Sequence, residues 1–299
     1  MVRGVGVSRR RLVAARSGAY DRSVQTVARE RWRISLEAWA MPQRLLDLVV
    51  ESPYEWPASL YERIRRADAK SDWDSPTVEI VEDRLSGGGS VLDVGAGAGR
   101  LAIPIAARGH RVTAVERDEG MARALGDQAA EANVSVTRII GPWPQVAGNA
   151  GHHDAVISAH VVYDVPSIGP FIEAMHGAAR RFVAIEMTPR HPWTGLSRYF
   201  RALHGIERPS RPTVDDFAAV VEEVVGLAPD RRWWTGPAGL RFADMGELLA
   251  FYRRRLRVPP DRSIEAANLL EPDVQRTDDG WLVLGEPERE VVTLWWEKS

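Results

Sequence analysis

Ten residues constrain this chain more than any others: Val91 to Arg100 read VLDVGAGAGR, a short apolar run opening directly into three alternating glycines. The stretch from Ser90 to Val94 suits a strand buried on both faces, as in the middle of a parallel sheet. Gly95, Gly97 and Gly99 remove three side chains where the backbone must bend sharply and let a ligand come close. From Arg100 onward, Leu101, Ile103 and Ile105 among alanines predict a helix that Gly109 stops, with Pro104 early enough to be tolerated. Several nucleotide-binding folds use such a turn, so the residues around it must decide between them.

The pattern then repeats. Arg111 to Glu116 predicts a second buried strand ending in an acid, and Asp118 is placed to cap a helix running through Met121, Ala122, Leu125 and Ala129. Further strands fit Val134–Ile140, Asp154–Ser158 and Phe182–Glu186, with a helix over about 166–180 between the last two. Strand, glycine turn, helix, strand, helix is the unit of a doubly wound, mostly parallel α/β sheet.

On either side of this core the signals change. Residues 1–33 carry nine arginines against Asp21 and Glu30, with little to bury, and read as a mobile basic tail. Ile34 to Val50, interrupted near Pro42, and then Tyr54, Trp56, Pro57, Leu60, Tyr61 and Ile64 predict helices of a lid over 34–75. Asp72, Trp73 and Asp74 form the turn out of it. Ser75 and Pro76 are the N-cap and first residue of a helix carrying Val78, Ile80, Val81 and Leu85, ended by Gly87, Gly88 and Gly89. Residues 76–187 form the expected core, and 188–299 the remainder of the sheet with inserted helices that enclose a substrate. Within that last part, 188–212 predicts an insertion over the sheet's carboxyl edge. Thr213 caps a helix over 214–225, a strand fits 231–235 and a helix fits 244–256, closed by Arg253, Arg254 and Arg255, where the helix dipole favours cations. Two further strands, 281–284 and 291–296, are joined by a short charged turn.

Composition narrows the function classes. A formal charge of −2 over 299 residues argues against a polyanion partner by bulk charge. The absence of cysteine removes disulfides, thiolate metal sites and a cysteine nucleophile. No apolar run is long enough for a bilayer span, and the expected setting is cytoplasmic. Eleven tryptophans suit core filling and apolar pocket walls.

The turn itself discriminates. A P-loop would end in Gly-Lys-Ser/Thr, whereas Gly99 is followed by Arg100 and Leu101. A dinucleotide fingerprint wants glycine where Arg100 stands, so a pyrophosphate fits less well. What VLDVGAGAGR resembles is motif I of the class I S-adenosylmethionine-dependent methyltransferases, whose pattern is E/D-x-G-x-G-x-G. The resemblance implies a seven-stranded Rossmann-like sheet and S-adenosylmethionine as cofactor. It implies that Asp93 holds the amino-acid end, that the backbone of Gly95, Ala96, Gly97 and Gly99 passes beneath the cofactor, and that Glu116 receives both ribose hydroxyls. A carboxylate, being acceptor-only, can take two such donors. Pro142 and Trp143 fall where family members contact adenine. HDAVISAHVVYDV resembles motif IV, with Ser158 and Ala159 beneath the cofactor and His160 and Tyr163 facing the reaction. The likeness covers about residues 76–187.

The expected reaction is methyl transfer to a small-molecule acceptor, to oxygen rather than nitrogen, because a histidine base matters more for a hydroxyl. His160 is the candidate base, since imidazole titrates near neutrality. Tyr163 either orients a substrate hydroxyl or packs. The lack of an NPPY or DPPY motif after strand four argues against DNA as acceptor. Asp154, Asp164, Glu186 and His191 lack a ligand spacing, so no metal is expected. His152 and His153 are expected in a solvated loop. Three competing readings remain: an RNA methyltransferase using the basic tail as a phosphate-binding arm, a catalytically silent cofactor-binding scaffold, and a nicotinamide oxidoreductase.

Overall fold

The computed structural model of the chain describes residues 27–53, 75–237 and 240–298. The basic residues 1–26, the apolar positions from Tyr54 to Ile64 and the turn Asp72–Asp74 lie outside them. In chain order the described elements are α1 (Val27–Glu37), α2 (Gln43–Leu46), α3 (Pro76–Arg84), β1 (Ser90–Val94), α4 (Ala102–Ala107), β2 (Arg111–Glu116), α5 (Glu119–Glu131), β3 (Val136–Ile140), α6 (Ala147–Ala150) and β4 (His153–Ala159). They continue with α7 (Ile168–Ala178), β5 (Ala179–Met187), α8 (Ser197–His204), α9 (Val214–Val225), β6 (Asp230–Pro237), α10 (Met245–Arg255), α11 (Ser263–Leu270), β7 (Val274–Arg276), β8 (Leu282–Leu284) and β9 (Glu288–Glu297).

Seven strands form one sheet in the order β3-β2-β1-β4-β5-β9-β6. β1 to β5 are parallel, and β9 runs antiparallel to both β5 and β6. This is the doubly wound, Rossmann-like sheet expected from the sequence. The central position of β1 explains its composition: all five residues are buried. Alternate residues nevertheless serve opposite faces. Leu92 and Val94 pack with Trp32, Phe171, Met175, Phe217 and Val221 from α1, α7 and α9. Val91 packs with Val78, Val81, Leu85, Ile105 and Leu125 from the α3, α4 and α5 side.

Local signals set the helix ends. Ser75 Oγ accepts from the Thr77 amide with Pro76 following, Asp118 accepts from Met121 N, and Thr213 and Asp216 form a reciprocal capping box.

Two expectations about the flanks are corrected. The tail does not extend to residue 33, because Val27–Glu37 is helical and Trp32 is fully buried. Trp32 donates its indole N–H to Val165 O at 3.0 Å and meets Phe217 edge-on at 5.5 Å. Glu223 of α9 receives the amides of Ala28 and Arg29 and the Arg29 guanidinium, supplying a carboxylate to the positive end of α1. α1 therefore completes one face of the sheet instead of roofing it. The second correction concerns 281–284, which does not form a hairpin with the last strand: β8 pairs with β7 in a separate two-stranded sheet.

A second hydrophobic core lies beside the sheet, built from Leu45, Leu196, Tyr199, Phe200, Leu203, Phe242, Leu248, Phe251, Tyr252, Leu256, Leu270 and Leu282. Arg257, 1% exposed with φ +59, ties this unit to the amino-terminal segment. Its guanidinium donates to the carbonyls of Leu45, Leu46, Val49 and Glu51. The basic end of α10 serves the same joint: Arg253 reaches Glu51, and Arg255 donates to Pro53 O. Among the described residues no helix is long and apolar enough to cross a membrane.

Candidate functional site

The glycine turn is seated by backbone bonds, with Gly95 N and Ala96 N donating to Val115 O at 2.8 and 3.1 Å. Gly95, Gly97 and Gly99 have φ of +74, +56 and +94, a region that disfavours side chains. The three differ in surroundings. A Cβ on Gly95 would lie 2.4 Å from Val161, and one on Gly99 2.9 Å from Ile103, whereas one on Gly97 meets only Met121 at 3.4 Å. Gly95 and Gly99 are packed from within; Gly97 borders open space.

Glu116 ends β2 beside this turn. Its Oε2 accepts from Gly97 N at 2.8 Å and its Oε1 from Asp118 N at 2.9 Å. Each oxygen keeps lone-pair capacity for a further donor, as a vicinal diol requires. Asp93, 2% exposed, lies in β1. Burial pushes its carboxyl up to about 7, and the charges of Glu116 and Glu186 add to this while Arg100 opposes it. An acid-rich setting of this kind accepts a cationic ammonium, so the donor set fits the nucleoside and amino-acid ends of S-adenosylmethionine.

Ser158 and Ala159 end β4. Ser158 is fully buried and donates to Val94 O at 2.7 Å, locking β4 to β1. His160 follows with φ +58, and its amide donates to Glu186 O at 2.9 Å. Its Nε2 lies 3.1 Å from Glu186 Oε1 and 3.3 Å from the Arg289 guanidinium. Burial pulls the imidazole down to about 4, Glu186 opposes this, and Arg289 and Arg100 reinforce it.

Glu186, which the sequence reading weighed only as a metal ligand, has a different place here. It is fully buried at the end of β5. Oε2 accepts from Ser75 Oγ at 2.6 Å and Thr77 Oγ1 at 2.7 Å, while Oε1 pairs with Arg100. Burial alone would raise its pKa, yet Arg100, His160 and Ser75 hold it well below the usual carboxylate range. A lone acid at a strand end carries no signature, since its hydroxyl partners lie 109 and 111 residues earlier.

The other expected residues have mixed placements. The Tyr163 hydroxyl is engaged by Thr188 Oγ1 at 2.6 Å and by the Thr188 amide, and burial pushes it up to about 12. Of its two expected roles, this geometry fits packing. Trp143, half-buried, donates its indole N–H to Phe171 O at 3.1 Å and packs against the core that contains Phe171; Pro142 beside it is exposed. Asp154 receives Ser90 N and Oγ at 2.7 Å, at the opposite end of β1 from the turn. Among the described residues no group of three or more His, Cys, Asp or Glu is arranged to hold a metal ion. His153 is not in a solvated loop: it opens β4, is 8% exposed and bonds Ala150 O.

Next to His160 opens a cavity of about 740 Å³. Pro192, Trp193, Leu196, Tyr199, Leu240 and Tyr252 give it apolar and aromatic walls, and His160, His191, Asp164, Glu286, Glu288 and Arg289 give it polar points. The glycine turn and Glu116 do not line it. His160 therefore belongs to the cavity wall and, through Glu186, to the Arg100 that follows the turn.

Residues 91–181 match a family described as Methyltransferase domain. No curated protein matches the chain. Magnesium protoporphyrin IX methyltransferase from Synechocystis PCC 6803 with bound SAH is similar at 15% identity and TM-score 0.46, over 90% of this chain and 98% of that one. The YcgJ protein from Bacillus subtilis is similar at 13% identity and TM-score 0.48, over 75% of this chain and 98% of that one. A 16S rRNA N2 G1207 methyltransferase from T. thermophilus, in complex with AdoMet and guanosine, is similar at 21% identity and TM-score 0.34, over 42% of this chain and 38% of that one. At such scores these likenesses carry no weight on the acceptor.

Proposed function

The chain carries a class I S-adenosylmethionine-dependent methyltransferase domain, and from that premise we propose that it methylates an oxygen atom of a small, largely apolar acceptor held beside His160. The observation that carries this reading is the double membership of His160, on the wall of the 740 Å³ cavity and 3.1 Å from the Glu186 carboxylate that engages Arg100. The cavity falls within the usual range of roughly 300–1,000 Å³ for small-molecule sites, and its aromatic walls suit a flat, apolar ligand.

In this reading Glu116 takes the ribose hydroxyls and Asp93 the amino-acid end. Gly95, Ala96, Gly97 and Gly99 admit the cofactor closely, Ser158 and Ala159 lie beneath it, and Pro142 or the ring face of Trp143 meets the adenine. When bound, S-adenosylmethionine supplies a methyl group made electrophilic by its sulfonium. The cavity walls align the acceptor oxygen and exclude water, which alone lowers a bimolecular barrier by several kcal/mol. His160, neutral at physiological pH because burial holds it down to about 4, accepts the acceptor's hydroxyl proton as that oxygen gains the methyl group. Glu186, ionised and adjacent, stabilises the imidazolium that results. So weak a base takes the proton only late in bond formation, which is also why alignment bears most of the catalysis.

Calorimetry and a methyl-transfer assay test the reading together. Glu116→Ala is expected to weaken S-adenosylmethionine binding by about 1–3 kcal/mol. His160→Ala is expected to keep that binding and lower kcat on a hydroxylated aromatic acceptor by about 10²- to 10⁴-fold. An acceptor panel in which only amines are methylated rejects oxygen as the attacked atom, and an unchanged His160→Ala rate rejects the base.

A further inference from the structure

His191 shares the cavity with His160, and neither cofactor binding nor proton transfer uses it. Three neighbours fix its ring. Trp39 stacks on it with centroids 4.0 Å apart and planes 14° from parallel, and Tyr163 meets it edge-on at 5.8 Å. Its Nδ1 accepts the amide N–H of Trp193 at 3.3 Å, capping the short helical turn Pro192–Leu196.

That cap determines the tautomer. A backbone amide can only donate, so Nδ1 must carry the lone pair and the ring proton must sit on Nε2. No hydrogen bond to Nε2 is made by the described residues. Burial, aided by Arg255 and Arg208, holds the imidazole down to about 3, so it does not become a cation at physiological pH. His191 thus offers the cavity one neutral N–H donor of fixed direction. His160 is its chemical opposite in this reading, accepting a proton, and the two rings flank Tyr163 at 5.8 and 6.4 Å.

We propose that His191 Nε2–H recognises a second oxygen of the acceptor, a neutral carbonyl, so that the acceptor class is a hydroxylated aromatic ketone or quinone. A group that donates a proton to His160 cannot also satisfy a donor-only N–H through the same hydrogen, and a rigid ligand reaching both must extend across Tyr163. On the cavity wall the carboxylates Asp164, Glu286 and Glu288 outnumber the guanidiniums Arg198 and Arg289, a balance that disfavours a carboxylate in place of the carbonyl. A ligand without that oxygen leaves the donor dry, which makes His191 a specificity-determining residue. The inference rests on the methyltransferase reading of this cavity.

The test is binding, with no methyl transfer required. Calorimetry on the full chain saturated with S-adenosylhomocysteine compares 6-acetyl-2-naphthol, 6-ethyl-2-naphthol and 6-carboxy-2-naphthol. The acetyl probe is expected to bind at least ten-fold more tightly than the other two. His191→Ser keeps a side-chain oxygen to cap Trp193 N–H but lacks a donor of that reach, and is expected to bring acetyl and ethyl within two-fold of each other. His191→Gln, which restores a donor at similar reach, is expected to recover most of the preference. Equal binding of acetyl and ethyl by the unaltered protein overturns the inference, as does tightest binding of the carboxyl probe or retained discrimination in His191→Ser. A chain that binds S-adenosylhomocysteine but none of the three probes overturns the inference and leaves the methyltransferase reading standing. Failure to bind S-adenosylhomocysteine overturns both.

Discussion

Glu186 Oε1 sits between Arg100, the residue directly after the glycine turn, and Nε2 of His160 at 3.1 Å. One buried carboxylate thereby connects the glycine turn to the cavity wall.

Replacing it tests that connection. Glu186→Gln keeps the shape but removes the buried carboxylate that pairs with Arg100 and accepts from Ser75 and Thr77, and is expected to cost about 2–3 kcal/mol in denaturant unfolding, less than for a fully buried pair because Arg100 keeps some solvent. Because the native pKa lies below the ordinary 4.5, the stabilisation from Glu186 is complete above about pH 4.5 and is lost as pH falls towards its native value. The unaltered protein should therefore lose stability on acidification more steeply than Glu186→Gln over that window. Parallel acid profiles would contradict this account.

Asp93 has the opposite sign. Its pKa rises from 3.8 to about 7, so the folded state binds the proton more tightly and stability falls as pH rises between those values. Above pH 7 the folded protein without cofactor carries a penalty of at most about 4 kcal/mol from this group. Asp93→Asn is thus expected to raise Tm at pH 8 while weakening S-adenosylmethionine binding. In the unaltered protein, binding should release a proton near pH 6, visible as a dependence of calorimetric heat on the buffer's ionisation enthalpy.

The glycines separate folding from binding. Gly95→Ala combines a positive φ with a Cβ 2.4 Å from Val161, and should cost roughly 2–4 kcal/mol of stability. Gly97→Ala pays only the left-handed backbone, about 1–2 kcal/mol. Its expected signature is a fall in cofactor affinity out of proportion to its modest effect on Tm.

Arg257 gives a fourth prediction. A lysine cannot reach four separate carbonyls at once, so Arg257→Lys is expected to accelerate amide exchange in 45–53 and to cost about 1–3 kcal/mol overall. Unchanged exchange there would show that the clasp contributes little.

What could be read from the sequence was what short-range chemistry decides. The caps at Ser75, Asp118 and Thr213, the strand Arg111–Glu116 and the three-glycine turn all declare themselves within a few residues. The first helix was missed because five charged residues between Val27 and Glu37 outweigh its apolar stripe of Ala28, Trp32 and Leu36. The spacing of that stripe was the available signal. The pairing of β8 with β7 and the role of Glu186 depend on partners distant in sequence, and no periodicity encodes them. His191 belongs to this second group too, since its tautomer follows from a turn conformation that composition does not specify.

The register of β6 on β9 has a consequence for how such chains diversify. Pro237 pairs with Glu288, so the two ends of the intervening segment emerge side by side from one edge of the sheet. A two-residue turn could join those strands without disturbing either ladder. The segment between them, carrying Leu240, Tyr252 and Glu286 to the cavity, therefore enters and leaves at one strand junction, and what holds it in place is the core it shares with Leu45, Leu196 and Tyr199. Side chains along it can thus reshape the cavity wall without altering the register of β6 on β9.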